Sequence, residues 1–503
     1  MTASSPATDW HIRARALAPE TRAFIGGQYV DAASGAVFAT VNPATGRATA
    51  YVAACDAIDA DRAVAAARAA FEAGHWANAA PAQRKAVLLR LADLIERESG
   101  ELALLETLDT GKPIRDSLAI DLPATIRCLR WFAEAIDKLY DEIAPTQGSV
   151  LSMIRRAPLG VVAAIVPWNF PLVTAMTKIA PALAAGNSVV LKPSELSPLS
   201  ALTLGRLAAE AGLPEGVLNI LPGAGPEAGR RLALHEDVAA LLFTGSTAVG
   251  KQLLGYAAES NLKAVSLECG GKSANIVLRD VPDMERAVQA AAMGVFQNQG
   301  QICNAGTRLL LDAPIHEAFL DRLQAITAQL QPGDPLDPAT RFGTLISDAH
   351  AARVRAWIAT GLDEGAQRLT PETPPPPGLR SEVLVPPTIL TQTTNAMSVA
   401  REEIFGPVLC VMRVDGLEDA ITKANDSPYG LAAGLWTGDV TAALAAQNRL
   451  NTGFVWINTL RVGDITTPFG GVKLSGQGRD KSLHAFDNVT QRKSVWLDLS
   501  PAS

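Results

Sequence analysis

Cys303 is the residue of this chain most suited to covalent chemistry. It lies in FQNQGQICNAGTR, a polar, glycine-rich passage, whereas Cys128 and Cys410 lie in apolar runs as structural cysteines do. A thiol that attacks an electrophile needs a base or water activator, a donor for the oxyanion it creates, and an acceptor for electrons. Glu268 ends the apolar run KAVSLE and is followed by Cys269, Gly270 and Gly271, so apolar surroundings can raise its pKa towards working pH. Taken alone, it reads equally well as a surface acid at a strand end. Asn169, in PWNFP, offers an amide that does not titrate and so suits an oxyanion, although in isolation it reads as a turn former.

The electron acceptor is suggested by FTGSTAVGKQ, residues 243–252. Its G-x-x-x-x-G-K resembles a phosphate-cradling loop, but Gln252 stands where a magnesium-binding Ser or Thr is required, which disfavours a nucleotide triphosphatase. A strand-Gly-Ser-helix turn still presents free N–H groups at a helix N-terminus, and these suit a pyrophosphate without metal. That points to a dinucleotide, held without the usual G-x-G-x-x-G. In KPSE, Lys192 and Glu195 can reach ribose hydroxyls, and a carboxylate there repels a 2′-phosphate, which favours NAD over NADP. The bland alternative is an exposed Lys-Glu pair in a turn.

These residues need a scaffold. Residues 62–139 are Ala/Leu-rich with helical spacing. From 160 the apolar runs GVVAAIVPW, SVVLKPS, VLNILPG, AALLFTGS and KAVSLEC alternate with helix-length segments, the rhythm of a doubly wound parallel sheet whose crevice lies at the strands' carboxyl ends. Each run ends in polar or Gly/Pro residues. A second mixed α/β region follows from about 273 to about 470, interrupted by the stiff PETPPPPG (371–378), read as a surface insertion rather than a linker. SVLSMIRRAPLG (149–160) and QRKSVWLDL (491–499) read as strands outside this alternation, paired with each other or with another subunit.

Composition narrows the field. The chain has 503 residues, 48% of them hydrophobic and 19% charged, enough for two or three domains. A net charge of −7 without a Lys/Arg block argues against nucleic acid. The absence of a long apolar run argues against a membrane span or a secretory leader, so a cytoplasmic location is expected. Five scattered cysteines (Cys55, Cys128, Cys269, Cys303, Cys410) and six separated histidines give no disulfide framework and no metal site.

PWNFP, KPSE, FTGSTAVG, ECGGKSANIV, GQICNAGTR, EEIFGP and PFGGVKLSGQGR, in this order, resemble the aldehyde dehydrogenase superfamily over residues 22–499. LETLDTGKPIR, RWFAEAIDK, NQGQICNAGTRLLL and GRDKSLHAFDN resemble the γ-glutamyl-γ-aminobutyraldehyde and aminoaldehyde dehydrogenase branch, associated with polyamine catabolism. The resemblance implies an α/β fold with a Rossmann-like doubly wound NAD-binding domain (1–140 and 161–272), an α/β catalytic domain (273–472), and a small β oligomerisation extension (141–160 and 486–503). It implies that Cys303 attacks the aldehyde, giving a thiohemiacetal and then a thioester, with Asn169 and the Cys303 N–H on the oxyanion and Glu268 activating the hydrolytic water. NAD would be held by Lys192, Glu195, Ser246, Gly225, Gly229, Glu403 and Phe405, with Ile165, Trp168 and Val249 lining the cleft. A homodimer or homotetramer is implied.

Relatives that pass the acyl group to coenzyme A generally lack the base that Glu268 supplies, so hydrolysis is expected. Cys269, beside that base, departs from the Leu or Ala of many relatives and reads as a small core hydrophobe or an oxidisable thiol. For the substrate, Thr174 and Thr177 suggest a wide, polar tunnel, with Phe170 and Phe296 as aromatic walls. Asp121 and Asp464 are read as attracting a distal ammonium or guanidinium at its mouth, so the expected substrate is an amino-, γ-glutamylamino- or guanidino-substituted aldehyde of about four carbons. The alternatives are a broad aliphatic aldehyde or semialdehyde dehydrogenase and, in another class, an NAD-independent cysteine esterase; a catalytically retired, structural member of the fold is disfavoured by the presence of Cys303, Asn169, Glu268 and Glu403.

Overall fold

The computed structural model describes residues 9–372 and 378–500. Most of PETPPPPG lies outside the described residues. An eight-stranded sheet runs in the order Gln28–Val30, Ala23–Ile25, Leu218–Ile220, Ser188–Lys192, Val161–Ile165, Val238–Thr244, Ala264–Glu268, Gly476–Gln477. The five inner strands are parallel, and both edges are closed by antiparallel strands. Those edges come from the two ends of the chain, which the β-α alternation alone did not reveal.

In VVAAI and SVVLK every residue is buried, as expected of strands covered by helices on both faces. Alternation then divides the side chains. Val161, Ala163 and Ile165 pack with Ala63, Val64, Ala67 and Leu253 on one face, while Val162 and Ala164 pack with Leu129, Leu172, Met176 and Leu202 on the other. Numbered along the chain, the parallel strands lie in the order 3-2-1-4-5, so the winding reverses between Val161–Ile165 and Val238–Thr244. A crevice opens at the carboxyl ends of strands at such a reversal.

A second sheet has seven strands, Gln367–Arg368, Thr388–Thr391, Val408–Val414, Arg308–Asp312, Ala274–Val277, Ala432–Trp436 and Phe454–Ile457, parallel except for the first pair. The chain leaves this sheet at Ile457 and returns to the edge of the first at Gly476–Gln477, so the two sheets are stitched together at their shared cleft. Val150–Pro158 pairs antiparallel with Thr490–Asp498 along nine residues, and Glu142–Ala144 adds a third strand. The two outlying strands of the sequence thus pair with each other. Among the described residues no helix is long and apolar enough to cross a membrane.

Candidate active site

Asn169 follows the first inner strand and Cys303 lies in the loop before Arg308–Asp312, so they meet across the cleft. Asn169 Nδ2 donates to the carbonyl of Gln301 at 2.8 Å, and Asn298 Nδ2 donates to the Asn169 carbonyl at 3.1 Å. An amide nitrogen carries two hydrogens, so one remains for a ligand. The Cys303 loop takes its shape from three consecutive left-handed residues, Asn298 (φ 49°), Gln299 (φ 54°) and Gly300 (φ 72°). Asn tolerates that region through its short polar side chain, and Gly300 is needed because its α-carbon lies against the Gly406 carbonyl.

Cys303 is partly buried, and its thiol is pushed up to about 12 by burial first, then by the nearby Glu403 and Glu268 carboxylates. At rest it is a protonated thiol. Glu268 is buried, and both its carboxylate oxygens lack a hydrogen-bond partner among the described residues. Burial, reinforced by Asp480, raises its pKa well above the ordinary carboxylate value. Glu403 Oε1 accepts from the Gly271 N–H at 3.0 Å, and burial pushes its pKa up to about 7. Gly270 lies against the same carboxylate, where a β-carbon would collide with it. Cys269 packs with Leu253 and Leu267 in the core, with its thiol raised to about 12 by burial.

On the other side of the cleft, Lys192 is buried with Nζ 3.5 Å from the Glu195 carboxylate, which is itself half exposed. Burial lowers the Lys192 pKa. Gly229 faces the Lys192 stem, and a β-carbon there would sit 3.4 Å from Cδ; Gly225 faces open space. Ile165, beneath Gly229, closes the floor of this region. Ser246 caps the helix Thr247–Glu259, its Oγ accepting from the Val249 N–H at 3.3 Å, and the Val249 side chain is exposed above it. Trp168 stacks edge-on against Phe405 at 5.4 Å and against His350 at 5.6 Å. His350 Nε2 is 2.8 Å from the Phe405 carbonyl, and burial lowers its pKa to about 4. A neutral His350 therefore donates to that carbonyl and braces Phe405, whose own φ of 57° is left-handed. His350, one of the six separated histidines, thus plays a structural part that no local motif announces.

The substrate side departs from the sequence reading. Asp121 is not at a tunnel mouth: it is buried and ion-paired with Lys112, which also lies 4.0 Å over the Phe170 ring. Its charge is neutralised inside the protein. Thr174 Oγ1 donates to the Phe170 carbonyl at 2.7 Å and Thr177 Oγ1 to the Thr174 carbonyl at 2.9 Å, so both hydroxyl protons are spent on their own helix rather than on a polar tunnel wall. Phe296 is 1% exposed and packs in the core with Leu309, Trp436 and Trp456, rather than walling a passage. Asp464 is exposed and accepts from the Thr466 N–H at 2.9 Å. Two further charged groups were not foreseen: Lys178, which pairs with Asp480 at 2.8 Å, and Arg461, whose charge acts on both Cys303 and Asp121. Neither sits in a motif whose local spacing names its partner.

A doubly wound domain facing a second α/β domain, with a thiol and an amide meeting in the cleft near a buried carboxylate, defines a two-domain α/β enzyme fold. The chain belongs to the aldehyde dehydrogenase family, whose model matches residues 29–495. It is 53% identical over 490 residues to the NADP/NAD-dependent aldehyde dehydrogenase PuuC of Escherichia coli, covering 97% of this chain and 98% of that protein. It is 49% identical over 481 residues to the aminoacetaldehyde dehydrogenase of Pseudomonas aeruginosa, covering 95% and 96%. Among solved structures, a mutant of the P. syringae indole-3-acetaldehyde dehydrogenase AldA in complex with NAD+ and IAA superposes with a TM-score of 0.96 at 52% identity, covering 98% of this chain and 99% of that one.

Proposed function

We propose that this protein oxidises an aliphatic aldehyde with an amino- or amido-bearing tail to its carboxylic acid, using NAD. The observation that carries the chemistry is Glu268: a buried carboxylate with neither oxygen hydrogen-bonded, beside a thiol and an amide donor. Such a group is poised to receive a proton. In this reading Cys303 Sγ bonds to the carbonyl carbon as its proton passes to water in the cleft and on to solvent, and the oxyanion accepts from the second Asn169 Nδ2 hydrogen and the Cys303 N–H. Bound NAD would accept the hydride that converts the thiohemiacetal into a thioester. Glu268 then takes a proton from the attacking water and returns it to the sulfur as the C–S bond breaks, so the acid departs with the thiol restored.

The residues present fit NAD: the buried Lys192 amine beside a half-exposed carboxylate, the open cradle at Gly225, the N-terminus at Ser246, and Glu403 at the opposite end. Relatives named for aminoacetaldehyde and for NADP/NAD use support the tail and the cofactor class. In the same reading residues 1–140 and 161–272 hold the nucleotide, 273–472 carry Cys303, and the extension built by 141–160 and 486–503, whose Ile143 and Trp496 side chains are exposed, joins subunits. The test is NADH formation by the purified protein over a panel of amino-, amido- and unsubstituted aldehydes, with NAD and NADP in parallel. Ester hydrolysis without any nucleotide dependence would defeat the proposal.

A further inference from the structure

Arg461 is a guanidinium that the fold only half satisfies. It lies on the loop after Phe454–Ile457, with a left-handed φ of 59°, and the loop is tied down by Trp456 Nε1 donating to the Val462 carbonyl at 2.5 Å. Its Nη1 donates to Gln297 Oε1 at 2.9 Å and to the Met293 carbonyl at 3.3 Å. Its Nε is buried and has no partner among the described residues. Among the described residues the guanidinium is thus held by Nη1 alone, and no hydrogen bond is made along the edge formed by Nε and Nη2, the edge that takes a carboxylate with two parallel hydrogen bonds.

The acids on its own loop and beside it already have cations near them. Asp121, the acid whose field reaches Arg461, is paired with Lys112. Asp464 on the same loop is exposed, with Arg127 and Lys481 beside it. Gln297 and Met293 belong to the segment that leads into the Cys303 loop, and Arg461 and Cys303 act on each other's charge, so the guanidinium stands near the thiol.

We propose that Arg461 is a specificity residue that binds a carboxylate carried at the far end of the aldehyde. This rests on the dehydrogenase reading above and narrows its substrate: among nitrogen-bearing tails, those that also carry a carboxylate are favoured. Burial supports this, since it lowers the Arg461 pKa to about 10 and so marks a cation short of solvation.

The test measures kcat/KM, with saturating NAD, for 4-oxobutanoate, butanal and 4-(trimethylammonio)butanal in the wild type, Arg461→Gln and Arg461→Lys. In Arg461→Gln the carboxylate-to-butanal ratio should fall roughly 10- to 100-fold, mainly through KM; Arg461→Lys should recover part of the loss. A guanidinium that merely braced its loop would change all three substrates together, and a carboxylate-to-butanal ratio altered by less than about twofold overturns the proposal. Should Arg461→Gln fail to fold, inhibition of the wild type decides: succinate should compete with butanal at least about tenfold more tightly than succinamide, and equal inhibition overturns it. The nitrogen-tail reading fails separately, if amide-bearing aldehydes turn over no better than butanal.

Discussion

Lys178 Nζ donates to Asp480 Oδ1 at 2.8 Å, joining residues 302 positions apart, with the lysine side chain fully buried. The pair lies beside Glu268 and sets its proton affinity from two directions: Asp480 raises the Glu268 pKa and Lys178 lowers it. Asp480→Asn removes the raising charge, so the acid limb of the kcat profile should move to lower pH. Lys178→Met should move it the other way. An acid limb that stays in place in both variants separates the pair from the base.

Replacing Cys303 by Ser should lower aldehyde oxidation by at least about 1000-fold while leaving NAD binding intact, measured by NADH formation and by fluorescence titration. Glu268→Gln should behave differently. With its water activator gone and its thiol still present, it should give a burst of NADH followed by a stalled acyl-enzyme, which quenched-flow mass spectrometry would detect. A linear time course without a burst argues against acylation preceding the slow step.

Glu195 is half exposed, 3.5 Å from the Lys192 amine, and in the proposed reading its carboxylate meets the adenosine ribose. Glu195→Gln removes the repulsion yet keeps a hydrogen-bonding side chain, so KM for NADP should fall about tenfold while KM for NAD rises. Parallel titrations with the two cofactors give the answer. An unchanged ratio would mean that the carboxylate does not meet the ribose.

Asp121 and Lys112 form a buried pair, and breaking it strands a charge in the core. Asp121→Asn should destabilise the protein by about 3–5 kcal/mol and depress every substrate alike. Asp464→Asn should change stability and selectivity little, because an exposed charge is screened. Urea unfolding combined with charged and neutral aldehydes distinguishes the two.

Glu106 Oε1 accepts from the Leu172 N–H at 2.8 Å, capping from across the core the helix that follows Asn169. Burial, aided by Asp121, raises its pKa to about 7, above its unfolded value. The protonated form is therefore favoured by folding, and its contribution to stability is complete below the unfolded pKa near 4.5 and is lost as pH rises through about 7. Glu106→Gln keeps the cap without the titration, so its Tm should fall less between pH 5 and 8.5 than that of the wild type, as scanning calorimetry would show.

What the sequence determined by itself is what local spacing encodes. Apolar runs that alternate with helix-length segments and end in polar or Gly/Pro residues announced a doubly wound sheet, and Cys303, Asn169 and Glu268 were legible as candidates because each stands at a strand end or in a polar loop that contrasts with its neighbours. Tertiary structure alone decided which charges are free. Asp121 and Asp464 look alike in the sequence, yet Lys112 neutralises one in the core while the other stands in solvent; Lys178 meets Asp480, His350 braces Phe405, and Arg461 keeps an unpaired edge near the thiol. The physical reason is that a charge's effect depends on burial and on partners hundreds of residues away, and neither is written in the few positions on either side of it.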